Sequence, residues 1–394
     1  MAPATALGSS YIIAARRTAL GRPGGLHANR RIEMLTAPVV LATLADAGLE
    51  PDAVEQIILG NTTAGGNPAR LVGLAAGLGD AAAALTVDRQ SASGLDAILL
   101  GMRAVALGEA RIVVAGGAES ISTAPWRIAR PKSLFQTPRF LGPEPDAGEA
   151  ADLPHSVTAS EELARRLGIT RLRQDSYTLH SHLKAEQAMS ERRFVGEIVP
   201  LRMAGEEARD EGNGIADIDD LAELDPLLPP DGTLTSGNTS ALQDGAAVAV
   251  IVSGDVHAEL GAPRALRLVA SSVQGVSAGE EARAPVAALE RLLRANGTDH
   301  RSRLGLVEMS ETSAAQALAL RDAFDLSEEE LSPDGGALVR GYPLGAASAV
   351  SVTRLFTRMA RRRNGHAPQL GAVTQGAVGG LGVAALFEAV GDGE

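Results

Sequence analysis

The sequence predicts an α/β protein built from two copies of one α/β unit, with a helical segment inserted between them. Three observations carry that expectation. Short aliphatic runs alternate with stretches of 3.6-residue periodicity. A similar order of turn, helix and strand recurs early and late in the chain. Between the two stretches the texture turns rich in Pro, Arg and acidic residues.

Taken in order, Ser10–Ala15 reads as a first strand, Leu35–Ala47 as a helix and Gln56–Gly60 as a second strand. Leu85–Arg89 leads into a turn and then a helix whose Leu95, Ile98, Leu99, Met102 and Val105 share one face. Ile112–Ala115 closes this unit as a strand ending in Gly116-Gly117. Late in the chain Asp334-Gly335-Gly336 precedes a turn at Gly341-Tyr342-Pro343, a helix over Ala346–Met359 and a strand at Leu370–Thr374. The middle segment carries helices at Ser160–Leu167 and Leu172–Ser190, while the acidic stretch Glu206–Asp225 reads as a solvated loop. The expected division is residues 1–118 with 233–262 as one half, 119–232 as the insertion, and 263–394 as the second half.

Composition narrows the chemistry. Aromatic residues make up only 3% of the 394, against 44 glycines, so a core of small aliphatic side chains with closely packed backbones is expected. There is no cysteine, which excludes disulfides, thiolate metal sites and thiol nucleophiles. A net charge of −12 argues against nucleic acid as a partner. The start of the sequence lacks the cationic and apolar pattern of a signal peptide, and the longest apolar run, Ala246–Val252, is far short of a membrane span. A cytoplasmic protein without membrane contact is the expectation, with no cofactor implied and no His or carboxylate spacing that suggests a metal.

Six blocks then become specific. TVDRQSASGL (86–95) resembles the nucleophile turn of thiolases, and VVAGGAES (113–120) the strand and loop that follow it. Gly237-Asn238-Thr239-Ser240 with Asp244–Ala247 is similar to the stretch that approaches pantetheine, and LVEMSETSAAQ (306–316) to the Asn-Glu-Ala-Phe region. GGALVRGYPLG (335–345) resembles the Gly-His-Pro motif, and Gly379-Gly380-Leu381-Gly382 the closing glycine loop. The resemblance covers essentially the whole chain in family order. It implies the thiolase fold, a duplicated five-layered α-β-α-β-α arrangement with an inserted loop domain. It also implies an acyl-CoA or acyl-carrier thioester substrate and a homodimer or homotetramer.

The chemistry at those blocks departs from the family pattern. The position of the acyl-accepting cysteine holds Ser91, and that of the Asn holds Ser310 beside a retained Glu311. The His position holds Tyr342, and the second cysteine's position Gly376. A serine hydroxyl needs a positioned general base, and a neutral tyrosine is a poor one at pH 7, so ordinary thiolysis or Claisen condensation is disfavoured. His155, in a segment that the resemblance brings over the reaction centre, is the candidate base; His180 and His182 read as helix-surface residues. Ser240 matches a CoA-contacting serine, and Gly341, Gly379 and Gly380 join Gly376 as candidate substrate-binding positions. Around Asn213–Asp220 the chain is acidic where the family holds the nucleotide end of CoA, leaving Arg127, Arg130, Arg165 and Arg166 as possible substitutes. Three functions stay open: acyl transfer or hydrolysis through Ser91, a non-covalent carbon–carbon lyase or aldolase using Tyr342, and a catalytically silent acyl-CoA-binding or partner subunit.

Overall fold

The structure is a computed structural model, and it describes residues 8–142, 156–201, 208–212, 217–277, 280–297, 299–362 and 369–391. The first half contributes β1 (Ser10–Thr18), α1 (Ile32–Ala47), β2 (Gln56–Gly60), α2 (Pro68–Ala75), β3 (Ala83–Val87), α3 (Ser93–Ala106) and β4 (Ile112–Glu119). The inserted stretch holds short strands β5 (Arg127–Ile128), β6 (Phe140–Leu141) and β7 (Ile198–Val199), with helices α4 (Ser156–Leu167), α5 (Arg171–Ser190) and α6 (Ile218–Ala222). The chain then returns to the first half with β8 (Gly245–Ser253) and α7 (Gly254–Glu259). The second half consists of β9 (Ala265–Gly275), α8 (Ala284–Ala295), α9 (Asp299–Arg303), β10 (Leu304–Met309), α10 (Ala314–Phe324), α11 (Ala337–Arg340), α12 (Leu344–Phe356), β11 (Leu370–Ala377) and β12 (Leu381–Val390).

The duplication is visible in the strand order. One end of the sheet runs β3-β2-β4-β8-β1, with β3, β2 and β4 parallel and the next two pairings antiparallel. The other end runs β10-β11-β12-β9 with the same sequence of orientations. Its missing outer strand is reduced to one parallel bridge, Val307 to Leu331, on the free side of β10. The two halves do not form separate sheets. Antiparallel pairing of Tyr11 and Ile12 with Arg267 and Leu266 joins β1 to β9, giving one continuous ten-stranded sheet that includes β7 beside β1.

Helices α1 and α2 cover the outer face of the first half, and α8 and α10 that of the second. Between the two sheet regions lie α3 and α12, so three apolar cores separate five layers. The middle core is built from Leu95, Ile98 and Met102 of α3 against Val350, Val352 and Leu355 of α12. The helix face that the periodicity of Leu95–Val105 marks is therefore buried as the sequence implies. Glycines set the spacing here: a methyl group on Gly117 would sit 2.3 Å from the Gly345 carbonyl oxygen, and one on Gly94 2.8 Å from the Ala349 Cβ. Among the described residues no helix is long and apolar enough to cross a membrane.

A buried ion network ties the inserted stretch to both halves. Glu197, just before β7, accepts from Arg17 of β1 at 2.7 Å and from Arg354 of α12, and Arg354 also reaches Asp334. Arg17 pairs with Asp210 at 2.6 Å, and Arg193 with Asp334 at 2.7 Å. Burial raises the Glu197 pKa, but Arg354 and Arg17 outweigh it and hold the group at about 2. Glu308 on β10 is the opposite case. Its carboxyl is fully buried with no hydrogen-bond partner among the described residues. Burial pushes its pKa up to about 7, against the pull of Arg354 and Arg340.

That shift has a definite sign. The folded value of Glu308 lies above the unfolded one, so folding takes up a proton between about pH 4.5 and pH 7 and stability falls as pH rises through that window. The loss is on the order of 3 kcal/mol. Glu308→Gln should therefore be more stable than wild type at pH 8, with an advantage that shrinks toward pH 5. Urea titrations at both pH values check this; an advantage of equal size at the two pH values would exclude it.

Candidate active site

The carboxyl ends of β3, β10 and β11 converge with the turn before α12, where open α/β sheets place their ligands. A cavity of about 550 Å³ opens there, lined by Ser91, Tyr342, Gly376, Ser240, Glu281 and Gln316 among others. Its apolar wall comes from Val157, Leu234, Leu242, Leu344 and Val378, with Phe140 and Leu141 of β6 also on the lining. Among the described residues that line it, Arg139 and Glu281 are the charged ones.

Ser91 reaches the cavity because the chain turns sharply between β3 and α3. Gln90 adopts φ +50°, a left-handed conformation unusual for a residue with a Cβ. Asp88 Oδ1 accepts the Gln90 N–H at 2.8 Å, and Ser93 Oγ accepts that of Arg89 at 2.7 Å. The Ser91 side chain thus stands two residues before the first residue of α3, near its positive end. Its hydroxyl donates to the Gly376 carbonyl at 2.8 Å. The Gln375 amide donates to the same carbonyl at 2.9 Å and to the Tyr342 hydroxyl at 2.8 Å. Ser91 and Tyr342 are therefore linked through one amide and one carbonyl of β11.

Two helix starts face each other behind this array. Ser348 of α12 accepts the Leu95 N–H at 2.9 Å and donates to the Ser91 carbonyl at 3.0 Å. At the other end, Glu119 of β4 accepts the Gly345 N–H at 3.0 Å and also binds Asn61, Thr62 and Thr63. Burial raises the pKa of Glu119, and these hydrogen bonds only partly counter it.

The remaining residues singled out in the sequence divide into two groups. Ser240 lines the cavity, held by its hydroxyl on the Glu311 carbonyl at 2.5 Å. Ser310 and Glu311 do not line it. Ser310 donates to the Ala347 carbonyl at 2.7 Å and meets Ser351 at 2.9 Å, facing α12. The Glu311 carboxylate accepts from Tyr177 at 3.2 Å and from the Ala337 N–H, leaving no room for a side chain at Gly336. Gly341 packs on Gln243, while Gly379 and Gly380 turn the chain behind the wall with φ +89° and +74°. His155 and the stretch 213–216 lie outside the described residues. Of the two histidines placed on the helix surface, His180 is exposed beside Glu328, whereas His182 is buried on α5 and its pKa lowered by that burial. Arg165 and Arg166 are taken up by Glu162 and Glu280, respectively.

Glu281 and the cavity role of Gln316 are not apparent from the sequence. The doublet Glu280-Glu281 looks like one more solvated acidic pair, yet Glu280 meets Arg166 at the surface while Glu281 turns inward with 5% exposure. The cause lies in the short 3₁₀ turn Glu281–Arg283 and in Pro285, which opens α8. Gly382 lets β12 approach Ala284, since a methyl there would meet the Ala284 carbonyl oxygen at 2.1 Å. Thr374 fixes the Pro285 carbonyl at 2.8 Å.

This duplicated sheet, with paired helix starts converging on one cavity, defines a two-half α/β enzyme architecture. The thiolase N-terminal domain model matches residues 10–255 and the thiolase C-terminal domain model residues 263–389; the chain belongs to the thiolase family. It is 34% identical over 388 residues to VraB of Staphylococcus epidermidis, whose name carries acetyl-CoA C-acetyltransferase as a provisional activity, covering 96% of this chain and 97% of that protein. The Staphylococcus aureus protein of the same name is 32% identical over 386 residues, covering 97% and 99%. The crystal structure of the Bacillus anthracis acetyl-CoA acetyltransferase superposes with a TM-score of 0.89 at 30% identity, covering 98% of this chain and all of that one. Human mitochondrial 3-ketoacyl-CoA thiolase in complex with CoA gives 0.85 at 26%, covering 98% and 99%.

Ser348 sets the Ser91 turn, and its removal is informative. Ser348→Ala leaves the buried Leu95 N–H and Ser91 carbonyl without this partner and should cost roughly 1–3 kcal/mol. Chemical denaturation checks the size; a change under ~0.5 kcal/mol would show that the bridge does not hold the turn.

Proposed function

We propose that this chain is an acyltransferase acting on acyl-CoA thioesters, with Ser91 as the group that receives the acyl chain. The supporting observation is that Ser91 lies on the lining of the cavity, two residues ahead of α3. The CoA esters in the names of its relatives point to the same carrier. In this reaction the Ser91 hydroxyl turns from the Gly376 carbonyl, Oγ bonds to the acyl carbonyl carbon as its proton passes to a base, and the C–S bond breaks with CoA leaving as the thiol that takes up that proton. His155 is the base in this scheme. The positive end of α3 favours the negative charge that develops on the carbonyl oxygen. Water or a second nucleophile then takes the acyl group.

Further parts of the proposal follow from the same site. Residues 119–232 are the insertion that closes the cavity on the side of Phe140, Leu141 and Val157. Two copies pair through the half-exposed free edge of β3, giving a homodimer. A second reading draws on the Tyr342 hydroxyl, held by Gln375 in the same cavity: the phenol serves as acid or base in carbon–carbon cleavage with no covalent intermediate.

Incubation with acetyl-CoA, butyryl-CoA and longer acyl-CoA esters, followed by intact mass, separates these readings. An adduct of the acyl mass is expected and should be absent in Ser91→Ala. Turnover that survives Ser91→Ala but falls about 10²-fold or more in Tyr342→Phe would transfer the assignment to the lyase reading. Tight binding with neither adduct nor turnover would identify a silent subunit.

A further inference from the structure

We propose that the protein holds ordered water in a closed internal site between β10, the segment 332–340 and α12, where it bridges the Glu308 carboxyl to Arg340 and Arg354. Five buried side-chain atoms of these elements have no hydrogen-bond partner among the described residues: both Glu308 oxygens, Ser332 Oγ, Arg340 Nε and Arg354 Nε. None of the four residues is more than 5% exposed, so bulk solvent does not serve them.

Strand and helix geometry brings these groups together. On β10 the Ser310 hydroxyl meets the Ala347 carbonyl and Ser351 of α12. Side chains two apart on a strand share a face, so Glu308 also points toward α12. Because β10 and β11 are parallel, α12, which leads into β11, runs opposite to both. A step back from Ser310 to Glu308 is therefore a step forward along α12, from Ser351 to Arg354 about one turn on. Ser332 is tied to the same strand, its N–H donating to the Val307 carbonyl at 3.0 Å. From there the chain passes Asp334, which pairs with Arg354, and enters α11, whose last residue Arg340 donates back to the Asp334 carbonyl at 3.2 Å. The charges register the same closeness: burial raises the Glu308 pKa, and Arg354 and then Arg340 pull it back most.

These groups act on one another yet no hydrogen bond joins them, the separation at which a bridging water sits. Other donors of the two arginines are already taken: Arg354 gives its Nη atoms to Glu197 and Asp334, and Arg340 Nη1 serves the Asp334 and Gly335 carbonyls. What is left is two acceptors on Glu308, one Nε–H on each arginine, and a serine hydroxyl that fills either role. A metal ion is opposed by the two guanidinium groups and an anion by the carboxylate. A neutral molecule that donates and accepts meets both, and water is small enough for a closed interior. With its hydrogens toward Glu308 and its lone pairs toward the Nε–H groups, it makes the roughly two to four bonds that hold internal water. Buried polar groups in native proteins are met by protein or by such water, and bare ones are rare. The site adjoins the turn that carries Tyr342 to the cavity, since Arg340 stands two residues before it.

A high-resolution crystal structure of the wild-type protein tests this directly. The expected result is density for at least one water hydrogen-bonded to Glu308 and to Nε of Arg340 or Arg354. A Glu308 carboxyl paired directly with either guanidinium, an ion at this position, or an empty site overturns the proposal. In solution, oxygen-17 relaxation dispersion counts the waters held inside a protein. Glu308→Met, similar in length but without the two acceptors, should lose at least one long-lived water relative to wild type. An equal count in the two proteins overturns the proposal. Should Glu308→Met fail to fold, the wild-type density decides alone.

Discussion

The close contact between α3 and α12 is the constraint that the rest of the molecule accommodates. Both helices must lie between two sheet regions, and both site turns hang from their amino ends. Side chains are pared away to allow it: besides Gly94 and Gly117, Gly60 faces the Ser93–Gly94 backbone at distances that no Cβ tolerates. Packing of this kind is unforgiving, because interiors are already close to crystalline density. The Ser348 hydroxyl then couples the helices directly, so the Ser91 turn takes its position from the opposite half of the protein.

A second constraint acts on the inserted stretch. Glu197 sits between Arg17 and Arg354, one from each half, and Asp334 continues the chain of charges to Arg193. Removing one member of such a set leaves an uncompensated charge in a low-dielectric interior, which is costlier than the net worth of the pair. The Phe194 ring packs beside Arg17 and Arg354, with the guanidinium carbons 5.7 and 4.7 Å from its centroid. The insertion is thus anchored by an ion network none of whose members lines the cavity, and by apolar contacts of α4 with the second half.

Much of the architecture is legible in the sequence, for reasons that differ by element. Gln56–Gly60 is a strand with its predicted bounds, because a short aliphatic run ended by glycine is unambiguous. Helix α3 follows from its periodic apolar positions, and α12 differs from its expected bounds only by a few residues at each end. The joining of β1 to β9 is invisible to local patterns, since it depends on a pairing across more than two hundred residues. Among site residues, Ser91, Tyr342, Gly376 and Ser240 come together on one cavity. Ser310 and Glu311 carry the right motif yet turn to neighbouring backbone and hydroxyl groups, a choice of side-chain direction that no spacing reveals. Glu281 escapes notice because acidic doublets are usually solvated, and its burial arises from glycines far away in β11 and β12.

The continuous sheet also bears on how the protein is made. Strand β1 lies between β8 and β9, whose paired residues begin some 235 positions downstream, and β4 waits for β8 as well. A nascent chain emerging from the ribosome therefore holds its first strand, apart from the short pairing of Arg17 and Thr18 with β7, without its main partners until roughly two-thirds of the sequence has been synthesised. Contacts of such long sequence separation close slowly and leave apolar ladder edges open to other chains. Assembly of even the first half is thus largely a late event, and its β1 edge is most vulnerable to aggregation during translation.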